Sequence, residues 1–384
     1  MLRIAWKMLV GDTAKYIGIL SALAFTTLLI TQQGATMLGV LSSTTSFVDS
    51  IGGVDLWVVD PLVQNVDDIK AMTDTQVYRV RSVPGVAWAV PLFKGSIKAR
   101  LPDGTSQNCQ LIGLDDATLI GAPATMLTGS LPDLRNADAV LIDEDAARGK
   151  LAQTDPDGRV RPAGTGYTFE LNDHRATVVG TFRGQKNFQS QPVVYTTYTR
   201  AKTMLPNERK MLSYVLVRLL PDADTTVVKA LILQSTGLRA YTSEEFSVSS
   251  LAWFIRNTGV ITNVGFSALM AFLIGGGIAG MTFYNFMLDN QRYFAVLRAM
   301  GTTDRTLIAM VALQAVGVSV IGFGQGIGGV TLMIRFVMAN SEISMKLTWS
   351  LLAGVGAAVV LVGVAAAVLG LVRVLRTDPA VVFK

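Results

Sequence analysis

Few side chains in this chain are equipped for catalysis, and none is arranged for it. There is one cysteine, Cys109, so no internal disulfide can form and no cysteine-based metal pattern fits. The one histidine, His174, stands in a polar Asn172-Asp173-His174-Arg175 turn and reads as a surface residue. Aspartates and glutamates between Asp49 and Arg256 are scattered, without the clustering that metal or paired-carboxylate chemistry needs. There is no nucleophile elbow and no metal-protease helix, and Gly164-Thr165-Gly166 does not complete a phosphate-binding fingerprint. A binding or mechanical role is expected, with no cofactor or metal held by this chain.

Recognition chemistry is concentrated in one place, Asp289 to Arg305. There Phe294, Leu297 and Met300 recur at three, interleaved with Arg292, Arg298 and Arg305. The spacing predicts a short amphipathic helix, stopped by Gly301, whose tolerance of positive φ suits a helix C-cap. Thr302, Thr303 or Asp304 is placed to cap the next helix. Such a helix either lies on lipid headgroups or docks in a groove of a cytosolic partner.

The elements that must position it are apolar. Four stretches carry no charged residue: Tyr16–Val48, Asn257–Leu288, Thr306–Ile334 and Leu347–Val372. Each exceeds the roughly 20 mostly apolar residues that a membrane-spanning helix needs. Charge elsewhere is lopsided. Asp49 to Arg256 holds 22 basic and 23 acidic residues, whereas the whole chain is +5, so the excess sits at the membrane edges. That placement argues for membrane lipid and against nucleic acid as the partner of the basic residues. Short basic loops stay in the cytoplasm, which orients the chain.

The expected layout is a cytoplasmic flank (1–15), a first span with a stalk (16–48), an outer α+β domain (49–256), a second span (257–288), a cytoplasmic helix (289–305), a third span (306–334), a short outer loop (335–346), a fourth span (347–372) and a cytoplasmic tail (373–384). Both termini lie in the cytoplasm. The first span is too long for a signal-peptide core and reads as an uncleaved anchor. Its polar second half, and Ser247–Arg256 ahead of span two, read as two stalks.

In the outer segment, Val54–Val59, Val86–Pro91, Gly95–Leu101, Gln107–Leu114, Ala139–Asp143, Tyr167–Leu171, Ala176–Phe182, Val193–Tyr198 and Ser213–Leu219 read as strands. Asp67–Val83, Glu144 to about Leu151, and Thr225–Gln234 read as helices, and Thr154–Gly166 as an exposed loop. Inside the spans no ionisable residue appears, which argues against a proton-coupled path. Gly276 and Gly280 in span two, and Gly322 and Gly326 in span three, are spaced for close helix approach. They serve packing within one subunit or a homodimer seam.

Leu297-Arg298-Ala299-Met300-Gly301, set between the second and third of four spans, resembles the FtsX-like permease family, which includes MacB-like (type VII) ABC exporters. Ser82-Val83-Pro84-Gly85-Val86 is similar to the start of the MacB-like periplasmic core domain. Ala176 to Phe182 and Leu216-Val217-Arg218 resemble later strands of that domain, and Arg376-Thr377-Asp378-Pro379-Ala380 resembles the family's closing segment. Length and the Leu-Arg-Ala-Met-Gly form look most like DevC-type permeases. The resemblance implies four transmembrane helices with a large α+β periplasmic domain between helices 1 and 2, in a bacterial inner membrane.

It further implies a homodimer served by two copies of a separate cytosolic ABC ATPase, which binds ATP and Mg, because this sequence contains no G-x-x-x-x-G-K-[ST] loop. The docking helix would comprise Asp289, Arg292, Tyr293, Phe294, Val296, Leu297, Arg298, Ala299, Met300 and Gly301. Export of a lipid-like substrate by mechanotransmission, with a periplasmic membrane-fusion adaptor and an outer-membrane channel, is what the family implies. This chain has Tyr293-Phe294-Ala295 where the family often has E-I-G, so an acidic contact is missing. An FtsX-type regulator of a cell-wall hydrolase and a peptide-sensing membrane module are the alternatives.

Overall fold

In a computed structural model, residues 2–154, 160–184, 191–205, 212–340 and 345–375 are described. They divide into two compact units, residues 1–40 with 258–384, and residues 41–257.

The first unit is helical. It contains α1 (Leu2–Gly11), the first part of α2 (Thr13–Ser50), α8 (Val260–Asp289), α9 (Gln291–Ala299), α10 (Asp304–Asn340) and α11 (Trp349–Leu375). Among the described residues α2, α8, α10 and α11 are long and apolar enough to cross a membrane. Helix α11 packs on α8 and α10, and α1 packs on α10. Phe283, Phe286, Met310, Val318 and Val359 are fully or almost fully buried between them.

Within the flank, residues 2–15 are mostly helix. Leu9 is buried, and Trp6 lies against Gly317, where a Cβ would meet its ring at 2.6 Å. Helix α2 is 38 residues without interruption. At ~1.5 Å per residue it is roughly 57 Å long, against a hydrocarbon core of roughly 30 Å. The second stalk differs from expectation: α7 (Ser243–Asn257) is a separate helix, since Gly259 adopts φ +64 and α8 starts anew at Val260.

The second unit carries a ten-stranded mixed sheet. Its strands are β1 (Leu56–Val59), β2 (Val86–Arg100), β3 (Ser106–Leu114), β4 (Met126–Thr128), β5 (Ala139–Asp143), β8 (Thr168–Leu171), β9 (His174–Phe182), β10 (Val193–Thr197), β11 (Tyr214–Leu219) and β12 (Arg239–Tyr241). The order is β12-β1-β11-β2-β3-β10-β5-β9-β4, with β8 joining β2 and β9. A separate antiparallel pair, β6 (Gln153–Thr154) with β7 (Val160–Arg161), stands where a loop is expected. The two apolar runs before and after Pro91 prove to be one strand, β2, which pairs β11 with its first half and β3 with its second.

Both sheet faces are covered. Helices α3 (Thr75–Arg81), α5 (Tyr198–Thr203) and α6 (Thr225–Thr236) carry residues of one core, with Val58, Ala89 and Phe93; α4 (Glu144–Arg148) contributes Ala146 and Ala147 to it. The second core holds Trp57, Val90, Leu92, Tyr214 and Phe246, together with Phe47 from the end of α2. Strands buried on both sides read as continuous apolar runs, which explains why β1 and β5 were legible.

Two helix expectations shorten. Asp67–Val83 is helical only over α3, because the chain before it is held in another shape. The Asn65 side chain accepts from the Asp67 and Asp68 N–H groups, the Val66 carbonyl accepts from Tyr214 Oη at 2.6 Å and Lys94 Nζ at 2.9 Å, and Met72 bridges Leu212. The Glu144 helix stops at Arg148, where Leu151 N–H turns back to the Ala146 carbonyl at 2.9 Å.

Lys94 is the unexpected resident of the second core. Its side chain is 2% exposed, with Nζ donating to Asp67 Oδ1 at 2.5 Å and lying 4.6 Å from the centre of the Phe47 ring. Burial lowers its pKa, and the Asp67 carboxylate opposes that shift. Removing one partner of a buried pair strands the other charge. Asp67→Asn is therefore expected to destabilise the protein by on the order of 2 kcal/mol, below the usual buried-pair cost because Asp67 is 37% exposed. Lys94→Met, which removes the buried charge itself, should cost less. Thermal midpoints of the two variants in detergent check the order.

Candidate coupling helix

Helix α8 ends at Asp289 and the chain turns at Asn290, whose side-chain Nδ2 donates back to the Phe286 carbonyl at 2.9 Å. Helix α9 follows at once and ends in a paired C-terminal closure. Gly301 N–H donates to the Arg298 carbonyl at 3.0 Å and Thr302 N–H to the Leu297 carbonyl at 3.1 Å. Gly301 adopts φ +89, as that closure requires. Thr303 then caps α10: its carbonyl accepts from Thr306 and Leu307 N–H at 3.0 and 3.2 Å. An ion pair of 3.4 Å between Arg298 and Asp304 spans the turn.

One side of α9 is anchored. Phe294 and Ala295 are buried, and Leu297 packs half-buried on the bundle core. The opposite side is bare: Arg292, Tyr293, Val296, Ala299 and Met300 are exposed, Tyr293 by 62% and Met300 by 77%. These positions share one helix face by their spacing. So the expected stripe Phe294–Leu297–Met300 splits: its first two members hold the helix in place, and only Met300 belongs to the free face. Asp289 lies in α8 and pairs with Lys15, which also pairs with Asp12 at 2.9 Å. Sequence reasoning overrated the three-residue recurrence; a four-residue step from Arg292 to Val296 to Met300 marks the exposed face.

The glycines divide in a similar way. A Cβ at Gly322 would sit 2.8 Å from Leu23 Cβ, and one at Gly326 would sit 2.4 Å from Thr27 Cβ and 2.6 Å from the Ala24 carbonyl oxygen. Both are used where α10 meets α2 within this chain. Gly276 faces Val362 at an ordinary 3.6 Å, and Gly280 is buried in α8. Gly275 is the tighter member of span two, against Thr26 of α2.

Elsewhere, His174 opens β9 exposed at a turn where Asn172 and Asp173 take positive φ. Cys109 is buried, and burial pushes its thiol up to about 12. Among the described residues no group of three or more His, Cys, Asp or Glu is placed to hold a metal. The closing segment Arg376–Ala380 lies outside the described residues.

Residues 20–235 match the MacB-like periplasmic core domain and residues 265–379 match the FtsX-like permease C-terminal domain. The chain belongs to the MacB/FtsX-like ABC permeases. It is 24% identical over 353 residues to an uncharacterized ABC transporter permease of Mycobacterium tuberculosis H37Rv, covering 88% of this chain and 86% of that one. A second such permease of that strain is 30% identical over 116 residues, 30% of this chain and 32% of its own. The periplasmic region of MacB from Actinobacillus actinomycetemcomitans aligns with 55% of this chain and 96% of its own, at 14% identity and a TM-score of 0.37. The extracellular domain of the transporter YknZ from Gram-positive bacteria aligns with 49% and 98%, at 15% identity and 0.33.

The permease is thus a transporter subunit of the membrane with an extracytoplasmic α+β domain between its first and second spans, and the family implies an ATPase partner. Two outcomes follow from the packing. Gly326→Ala should destabilise the helical unit by about 1–3 kcal/mol through overpacking, whereas Gly324→Ala, with nothing within 4 Å, should be neutral or slightly stabilising. Thermal unfolding in detergent reads both. Cys109 should resist maleimide at pH 8 in the folded protein and react on denaturation, as mass spectrometry will report.

Proposed function

We propose that this permease is the membrane subunit of an ABC exporter and that α9 is its docking element for a cytosolic ATPase. The observation that carries this reading is the bare face Arg292–Tyr293–Val296–Met300 on a helix fixed from behind by Phe294 and closed by Gly301. A rigid helix offering aromatic, thioether and guanidinium groups suits a groove with an apolar floor, since such residues dominate interface energetics. The basic flanks support a cytoplasmic location for this helix and both termini, with the ATPase on that side of an inner membrane. Two permeases and two ATPases would form the working unit, with ATP and Mg bound only by the ATPase.

In this reading ATP-driven closure of the ATPases moves α9 and its neighbours. The displacement passes outward along α2, whose end supplies Phe47 to the aromatic core of the outer domain. A lipid-like or hydrophobic substrate is then handled outside the membrane, with a periplasmic adaptor and an outer-membrane channel. The charge-free spans support export without a polar path through the bilayer.

Tyr293→Asp with Met300→Asp should abolish co-purification of the ATPase while leaving the thermal midpoint of the permease unchanged. Phe294→Asp should instead lower that midpoint. Full ATPase association by the Tyr293/Met300 double variant would defeat the docking assignment.

A further inference from the structure

A cleft of about 770 Å³ opens on the outer domain between α3, the first half of β2, the loop at residues 115–118 and α5. That is within the range of small-molecule and short-peptide sites, roughly 300–1,000 Å³. It lies outside everything the docking helix and the spans account for, and its polar groups divide into two sets.

The first set is already matched. Asp74 accepts from Tyr198 Oη at 2.5 Å and pairs with Lys202, tying α3 to α5. Asp74 and Lys202 therefore bring little unmatched charge to the cleft. The second set is not matched. Asp115 spends Oδ2 on the N–H and hydroxyl of Thr118, and Asp116 spends Oδ2 on the N–H and hydroxyl of Thr199. Among the described residues neither carboxylate enters an ion pair, and each keeps a second oxygen with no partner. Arg135 donates only to the main-chain carbonyls of Asp116 and Ala117, which shapes the loop without pairing its carboxylates.

The facing donors are equally underused. Arg81 makes one hydrogen bond, to the Ala89 carbonyl at 2.6 Å, and its guanidinium carbon lies 5.8 Å from the centre of the Tyr78 ring. Tyr78 is 67% exposed and its hydroxyl has no partner among the described residues. Between donors and acceptors, Val77, Ala89 and Pro91 contribute apolar lining.

We propose that this cleft binds a short basic peptide. A lysine or arginine of the peptide pairs with Asp115 and Asp116, an apolar side chain lies against Tyr78 and Pro91, and peptide carbonyls accept from Arg81 and the Tyr78 hydroxyl. Among the described residues, the hydrogen bonds to these two carboxylates come from neutral donors; Arg200 acts on Asp116 at longer range, which leaves Asp115 the less compensated of the two for a ligand. A pocket of mixed donors and acceptors over an apolar lining fits a peptide backbone better than it fits a hydrocarbon or a lone ion.

The test uses the full chain in nanodiscs of zwitterionic lipid, with empty nanodiscs as the blank, and calorimetric titration of two probes. These are acetyl-Lys-Phe-Lys-amide and its uncharged counterpart acetyl-Gln-Phe-Gln-amide. The lysine peptide should bind at least about tenfold more tightly, and Asp115→Asn with Asp116→Asn should remove that preference. Asparagine keeps the oxygens that cap Thr118 and Thr199, so the loop is preserved, and an unchanged thermal midpoint verifies it. Tyr78→Ala should weaken both peptides, and the exposed Asp222→Asn, outside the cleft, neither. Equal affinity for the two peptides, undiminished binding by the Asp115/Asp116 double variant, or no binding at millimolar peptide would overturn the proposal. ATPase co-purification by the same variants should be unaffected, which separates this site from the docking helix.

Discussion

Hydrocarbon offers no partner to a hydrogen-bonding group, and the helical unit is organised by that fact. Its charge-free runs hold no Asp, Glu, Lys, Arg or His, and several of their hydroxyls turn inward on their own helices. Thr26, Thr27, Thr282 and Thr331 each donate to the carbonyl four residues earlier, at 2.7, 2.8, 2.8 and 2.9 Å. A polar group satisfied by its own helix does not hold helices together, so association rests on close packing. Hence the glycines: Gly322 and Gly326 let α10 reach the backbone of α2, and Gly275 admits Thr26. Chemistry is displaced to the ends of the spans, where water returns and charge is affordable.

The outer domain answers the opposite constraint. Water surrounds it, so apolar burial drives its folding, and the cost falls on any polar group enclosed with the core. Lys94 is that group. It is held because three different acceptors converge on it: the Val66 carbonyl, the Asp67 carboxylate and the face of Phe47. The last belongs to α2. The same aromatic cluster also takes Trp57, Tyr214 and Phe246, with Phe47 edge-on to Trp57 at 5.8 Å. The end of the long helix is thus gripped by apolar packing and by a desolvated cation together.

The spans and the longer strands were legible because their signals are long and compositional: a run without charge, or a run apolar on both faces; the three-residue end strands β4 and β12 were not predicted. What failed were features set by distant partners. Asp67–Met72 has helical spacing, yet Tyr214 and Lys94, far along the chain, take the Val66 carbonyl, and Met72 bridges Leu212. Nothing local announces that. Lys94 carried one overlooked hint: it shares strand parity with Val90 and Leu92, which face the same core. In α9 the three-residue recurrence placed the helix correctly but put Phe294 and Met300 on one stripe, whereas Phe294 is buried in the bundle core and Met300 is exposed.

That division of faces also bears on the residues that differ from the family pattern. Where the family often has an acidic residue, this chain has Tyr293, exposed, with Arg292 exposed beside it. Arg298 is committed to Asp304 and Asp289 to Lys15, so neither acid lies on the bare face and Arg292 does. A surface of that sign repels a basic groove and complements an acidic one, and electrostatic complementarity governs encounter and partner choice more than affinity. If α9 docks an ATPase as proposed, Tyr293 in place of an acid changes which ATPase fits, while the anchoring by Phe294 and the closure at Gly301 still hold the helix in one position.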